Sequence, residues 1–83
     1  MIQVLVFARL RDQLGEAVIN LDMAAPARVH ELRAALQQAY PSQADALNPG
    51  KALIAINQVL SHDEDAVITD QDEVALFPPM TGG

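Results

Sequence analysis

The residues best suited to covalent chemistry stand at the end of the chain, in Phe77-Pro78-Pro79-Met80-Thr81-Gly82-Gly83. Glycine has no Cβ and accepts almost any φ/ψ. Gly82 and Gly83 can therefore thread a channel too narrow for side chains and present a bare α-carboxylate at its far end. The two prolines before them lack the N–H that a sheet ladder needs and hold φ near about −65°, so pairing is expected to stop at Phe77. Residues 78–83 should leave the body as an extended tail. A terminal Gly-Gly is also what a frayed end or an expression scar looks like, but the apolar strand Val74-Ala75-Leu76-Phe77 running into the prolines weighs against that reading.

Other candidates offer less. His62-Asp63-Glu64-Asp65 groups an imidazole with three carboxylates, yet consecutive loop residues rarely converge on one ion and no second histidine sits at ligand spacing, so no metal site is expected. His30, beside Val29, has no Ser or Cys nucleophile near it in sequence and reads as a surface histidine. The chain has no cysteine, which removes thiolate chemistry and disulfides. Arg9 and Arg11 either hold a phosphate or carboxylate of a partner or are exposed charges after a strand, and the second reading is preferred.

Composition sets the limits. Eighty-three residues make one domain, 51% hydrophobic and 19% charged, which is the make-up of a folded chain and not of a disordered one. A formal charge of −6 with only five Lys and Arg argues against nucleic acid, whose phosphates need clustered cations, and suits basic partners or simple solubility. Apolar runs are only a few residues long and no basic segment precedes a hydrophobic one, so neither a signal peptide nor a membrane span is expected, and the cytoplasm is the expected compartment.

The elements that must position the tail can be read in order. Ile2-Gln3-Val4-Leu5-Val6-Phe7 reads as a strand central in its sheet and buried on both faces. Arg9 to Gly15 reads as a connection with a helical turn, and Ala17-Val18-Ile19-Asn20-Leu21 as a second strand antiparallel to the first. After Pro26, the spacing of Val29, Leu32, Leu36 and Ala39-Tyr40 predicts an amphipathic helix of about three turns, with no Ser, Thr, Asp or Asn to cap it. Pro41 ends that helix, and Ser42 to Leu47 reads as one loose turn. Ala52 to Ile56 and Val59-Leu60 form a hairpin over Asn57-Gln58; Ala66-Val67-Ile68 reads as a short apolar return, and Glu73 to Phe77 as the final strand. The fold class is α+β: one mixed sheet of four to five strands, one main helix across it and an extended C-terminal tail.

Four segments together carry a family resemblance: the first strand running into Phe7-Ala8-Arg9-Leu10-Arg11; Lys51 to Gln58 with Asn57 at its hairpin; Asp72-Glu73-Val74; and the terminal Phe-Pro-Pro-Met-Thr-Gly-Gly. In these the chain resembles the small subunit of molybdopterin synthase, a family with the ubiquitin-like β-grasp fold. The resemblance covers essentially the whole chain. Gln71 stands where the family's turn usually carries glycine, and the helix lacks the usual Thr or Ser cap.

The resemblance implies a sulfur carrier. An adenylating, E1-like partner uses ATP to activate the terminal glycine, a sulfur-donor enzyme supplies sulfur, and the product is a C-terminal thiocarboxylate. The tail then enters the large subunit of the synthase, which holds a cyclic pyranopterin monophosphate and builds the molybdopterin dithiolene. Gly83 would be the covalent carrier, Gly82 the spacer, and Thr81, Met80, Pro79 and Pro78 the guiding tail. Phe77 and Phe7 would meet the partner, with core packing an equal alternative for Phe77. No cofactor would be bound permanently, and catalytic groups are expected on the large subunit. The alternatives are a carrier for thiamin thiazole synthesis, a ubiquitin-like modifier joined to lysines, and a non-covalent interaction domain with an incidental tail.

Overall fold

In strand β1 (Ile2–Val6) Ile2, Val4 and Val6 are buried while Gln3 is exposed and Leu5 half-buried. The strand therefore faces the core on one side only, contrary to the expectation of burial on both. The computed structural model describes residues 1–79. After β1 come helix α1 (Ala8–Leu14), β2 (Val18–Leu21), β3 (Ala27–Arg28), helix α2 (Val29–Ala39), two 3₁₀ turns (Pro41–Gln43 and Asp45–Leu47), β4 (Leu53–Ile56), β5 (Val59–Ser61), β6 (Val67–Ile68) and β7 (Val74–Phe77).

Five strands form one mixed sheet in the order β2-β1-β7-β4-β5. Strand β7 is its centre, parallel to β1 and antiparallel to β4. The last strand of the chain is thus the most enclosed, and β1 is interior rather than central. Parallel neighbours need a long crossover, and α2 lies within it, burying Val29, Leu32 and Leu36 in one core with Ile54, Ile68, Val74 and Leu76. Fully burying each such side chain stabilises the fold by about 1.5–3 kcal/mol.

Several local expectations are corrected. Residues 8–14 make a full two-turn helix, not a connection with one turn, because Leu10 and Leu14 share a face and both enter the core. Gly15, at φ 78°, ends it in the left-handed region that glycine tolerates, and its N–H donates to the Arg11 carbonyl at 2.8 Å. Pro26 precedes the short strand β3 rather than opening the helix, and β3 pairs with β6 as a separate two-stranded ribbon beside the expected single sheet. The segment after Pro41 holds two 3₁₀ turns in place of one loose turn.

The uncapped start of α2 has a physical substitute. Glu31 accepts from the Arg28 N–H at 2.8 Å, while the Val29 and His30 N–H groups donate to the Ala66 and Glu64 carbonyls, each at 2.9 Å. Orphan donors are met by a neighbouring loop instead of a cap side chain. The hairpin over Asn57-Gln58 is as expected: both residues have positive φ, 53° and 69°, the geometry of a tight two-residue turn.

Candidate functional site

Strand β7 delivers the tail, so its position fixes the site. Asn57, at the tip of the β4–β5 hairpin, donates through Nδ2 to Asp72 Oδ1 at 3.0 Å and accepts from the Glu73 N–H at 2.9 Å. Asp72 Oδ2 accepts from the Thr69 N–H at 2.8 Å and closes the turn before β7. These bonds, the Thr69 amide first and the Asn57 amide second, hold the Asp72 carboxyl below the usual aspartate range. Gln71 does not have positive φ, so this turn has no need of the glycine usual in the family. Two segments far apart in sequence thus clamp the entry to the last strand.

The sheet face away from α2 is apolar. Across the strands, register places Val18, Leu5, Ala75, Ala55 and Leu60 in one row. One step nearer the tail, Leu53 pairs with Phe77, and the Phe7 N–H donating to the Leu76 carbonyl at 3.0 Å brings Phe7 alongside. The two alanines make the middle of this face shallow between bulkier flanks. Phe7 is 47% exposed, Leu60 46% and Val18 41%, while Phe77 is half-buried. Large apolar groups exposed together on one face mark an interaction surface.

Both aromatic residues expected at a partner interface therefore lie on this face, Phe7 exposed and Phe77 half-buried. Leu5, Leu53 and Leu60 were not singled out from sequence, although period-two alternation from the buried Val4, Ile54 and Leu76 would have placed them opposite the core. Gln3 and Asn20 flank the row on the side away from the tail, and the exposed Glu73, two residues before Ala75, lies on the same face. Acidic side chains also gather in the loops around β6, at Asp63, Asp65 and Asp70.

Beyond Phe77, Pro78 and Pro79 are half-buried and outside any strand, as a proline stop requires. Met80, Thr81, Gly82 and Gly83, the reactive and threading residues expected from sequence, lie outside the described residues. Among the described residues no group of three or more His, Cys, Asp or Glu side chains gathers as a metal cluster, and no helix is long and apolar enough to cross a membrane.

The acidic loop has a different use for one of its members. Arg33, a charged residue of α2, is only 6% exposed. Its guanidinium donates to both Glu64 oxygens at 2.8 Å and to the Leu47 and Ala52 carbonyls at 2.8 Å. The Arg33 hydrogen bonds lower the Glu64 pKa against the opposing effect of burial. Glu64 is thus a structural partner rather than a solvated loop residue. His30 is exposed, with Nε2 3.7 Å from Asp65 Oδ1.

Compared with known families, residues 4–83 match the model of the ThiS family. The chain belongs to the ThiS family. Over its full length and that of its relative, this ThiS-family chain is 45% identical to the molybdopterin synthase sulfur carrier subunit of Haemophilus influenzae. Its fold is similar to SAMP1 of Haloferax volcanii, with a TM-score of 0.81 at 25% identity over 99% of this chain and 98% of that one. It is also similar to a chain of the complex of subunits 1 and 2 of the molybdopterin-converting factor of Helicobacter pylori, with a TM-score of 0.67 at 27% identity over 99% and 97%. The ThiS-family chain has the ubiquitin-like β-grasp fold.

Proposed function

We propose that this chain is the sulfur carrier and small subunit of a molybdopterin synthase, with Gly83 as the group that carries sulfur. One observation supports this above the others: the apolar sheet face runs through Phe7 and Phe77 directly into the Pro78-Pro79 stop. A partner that covers the face is then in position to receive the tail. The full-length relative at 45% identity bears the name of that subunit. The Helicobacter pylori neighbour, a complex of subunits 1 and 2, supports a large-subunit partner.

A carboxylate is a poor electrophile, so the chemistry starts on a partner enzyme. A carboxylate oxygen of Gly83 attacks the α-phosphorus of ATP and pyrophosphate leaves. Hydrosulfide released by a sulfur donor then attacks the acyl carbon, the bond from that carbon to the bridging oxygen breaks so that AMP leaves with the oxygen, and the thioacid proton goes to solvent. The terminus is now a thiocarboxylate, a sulfur nucleophile for the pterin substrate held by the large subunit. Gly82 adds no side chain to obstruct the channel, and Thr81, Met80, Pro79 and Pro78 guide the tail. This chain supplies the sulfur and the docking surface, with acid–base groups on the large subunit.

Intact mass tests the carrier step. After incubation with ATP, an adenylating enzyme and a sulfur donor, the chain should gain the difference between sulfur and oxygen, confined to its C-terminal peptide. A lysine isopeptide to another protein in place of that gain would assign the chain to the modifier class, with which the SAMP1-like fold is equally compatible.

The docking surface has its own test. Phe7→Ala removes a ring already half in solvent, and Phe77→Ala removes one that also packs. Aromatic anchors at the centre of an interface each contribute on the order of 2 kcal/mol. Each variant should bind the large subunit more than about tenfold more weakly, and Phe7→Ala should keep the wild-type denaturant midpoint. Unchanged affinity in a calorimetric titration would move the interface elsewhere.

A further inference from the structure

Helix α1 and the second 3₁₀ turn face each other across an open groove of about 630 Å³, with Pro78 and Pro79 in its lining. Arg9 and Gln13, four residues apart on one face of α1, line one side, and Gln43 and Lys51 line the other. The far wall is fixed in place: Gln37 donates to the Ala44 carbonyl at 2.9 Å and Arg33 to the Leu47 carbonyl at 2.8 Å. Gly50, at φ 90°, completes the turn that sets Lys51 at the rim.

The charge of this groove opposes that of the molecule. Lys51 pairs with Asp45 at 2.7 Å, and Arg9 makes no ion pair or side-chain hydrogen bond with any described residue. Two cations against one carboxylate leave a local charge of +1 on a chain whose formal charge is −6. The groove is also continuous with the apolar face, since Arg9 lies two residues after Phe7 and Pro78 directly follows Phe77. Gly83 is four residues beyond Pro79, up to about 14 Å of extended chain.

We infer that the Arg9–Lys51 groove at the root of the tail is a second contact with the large synthase subunit, receiving carboxylate side chains that flank the entrance of the tail channel. The inference rests on the proposal that this chain is the small subunit of the synthase. The apolar face supplies contact area, and the groove sets the orientation in which the tail enters. Charge pairs at the rim of an interface act mainly on the association rate and its salt dependence.

The test compares two reversals of equal charge on one helix. Arg9→Glu changes the groove, while Arg11→Glu changes a residue of α1 outside its lining. Association of each full-length variant with the large subunit is followed by stopped flow at low and high salt, after denaturant midpoints show both to be folded. Arg9→Glu should slow association about tenfold at low salt, with the gap closing at high salt, and Arg9→Lys should restore most of the rate. Arg11→Glu should have less than about a third of that effect on a logarithmic scale. Equal slowing by the two reversals would overturn the inference in favour of a general field. Slowing by added inorganic phosphate equally in wild type and Arg9→Glu is expected; slowing confined to wild type at millimolar phosphate would assign the groove to a phosphate and overturn it. Failure of wild type itself to bind the large subunit would remove the small-subunit proposal and the inference together. Normal binding lost on Phe77→Ala but not on Arg9→Glu would remove the inference alone.

Discussion

Deleting Gly82 and Gly83 should abolish sulfur transfer and leave the denaturant midpoint almost unmoved. The helices, the sheet and the ribbon all lie within residues 1–79, and no buried side-chain nitrogen or oxygen among the described residues lacks a hydrogen-bond partner. Changes away from such packing usually stay within about ±0.5 kcal/mol. Function has no such tolerance. The new terminus, Thr81, is two residues short, up to about 7 Å of extended chain. It also brings a β-branched side chain to a position where glycine is proposed to pass a narrow channel. Adding one residue after Gly83 should be as damaging, because it displaces the carboxylate proposed for activation. Denaturation of the truncated protein alongside a reconstituted synthase assay decides the matter. Continued molybdopterin formation by an intact truncated chain would show that the terminus is not the carrier.

The end of the sheet at Phe77 was legible in the sequence because proline acts locally. Pro78 and Pro79 cannot donate to a ladder whatever surrounds them, so the end of β7 followed from residue type alone. The α2 stripe and the Asn57-Gln58 hairpin were legible for the same reason, each being set by spacing or backbone chemistry within a few residues. Helix α1 was missed because seven residues are too short for propensity to carry a helix; Leu10 and Leu14 stabilise it only by packing against the rest of the core. Strands β3 and β6, two residues each, give no period to detect. The place of β7 at the centre of the sheet, beside β1, is a property of the crossover and not of either strand's composition. The apolar outer face needed both alternation within strands and register between them, and only the first is written in the sequence.

Arg33 is the clearest case of a role set by distant residues, and its loss should lower stability markedly. Nothing beside it in sequence distinguishes it from other charges on α2, since its partner Glu64 is 31 residues away. Arg33→Met keeps most of the volume but leaves the Leu47 and Ala52 carbonyls without their guanidinium donors. An unsatisfied buried polar group costs about 1–3 kcal/mol, so the substitution should cost about 3 kcal/mol in total. Glu64, with its side chain 33% exposed, can be rehydrated and adds little to that figure. A domain of this length has a total stability of roughly 4–12 kcal/mol, so the loss should be plain as a lower denaturant midpoint. An unchanged midpoint would mean that water replaces the guanidinium at no cost. The same pair sets an acid dependence. Because Arg33 lowers the Glu64 pKa in the folded state, the unfolded chain binds the proton more readily. This contribution is therefore complete above the ordinary glutamate value of 4.5 and is lost as pH falls below it. Glu64→Gln should start less stable at neutral pH and show a shallower decline between about pH 5 and pH 3. Parallel pH profiles for the two proteins would show that the ion pair contributes nothing to folding.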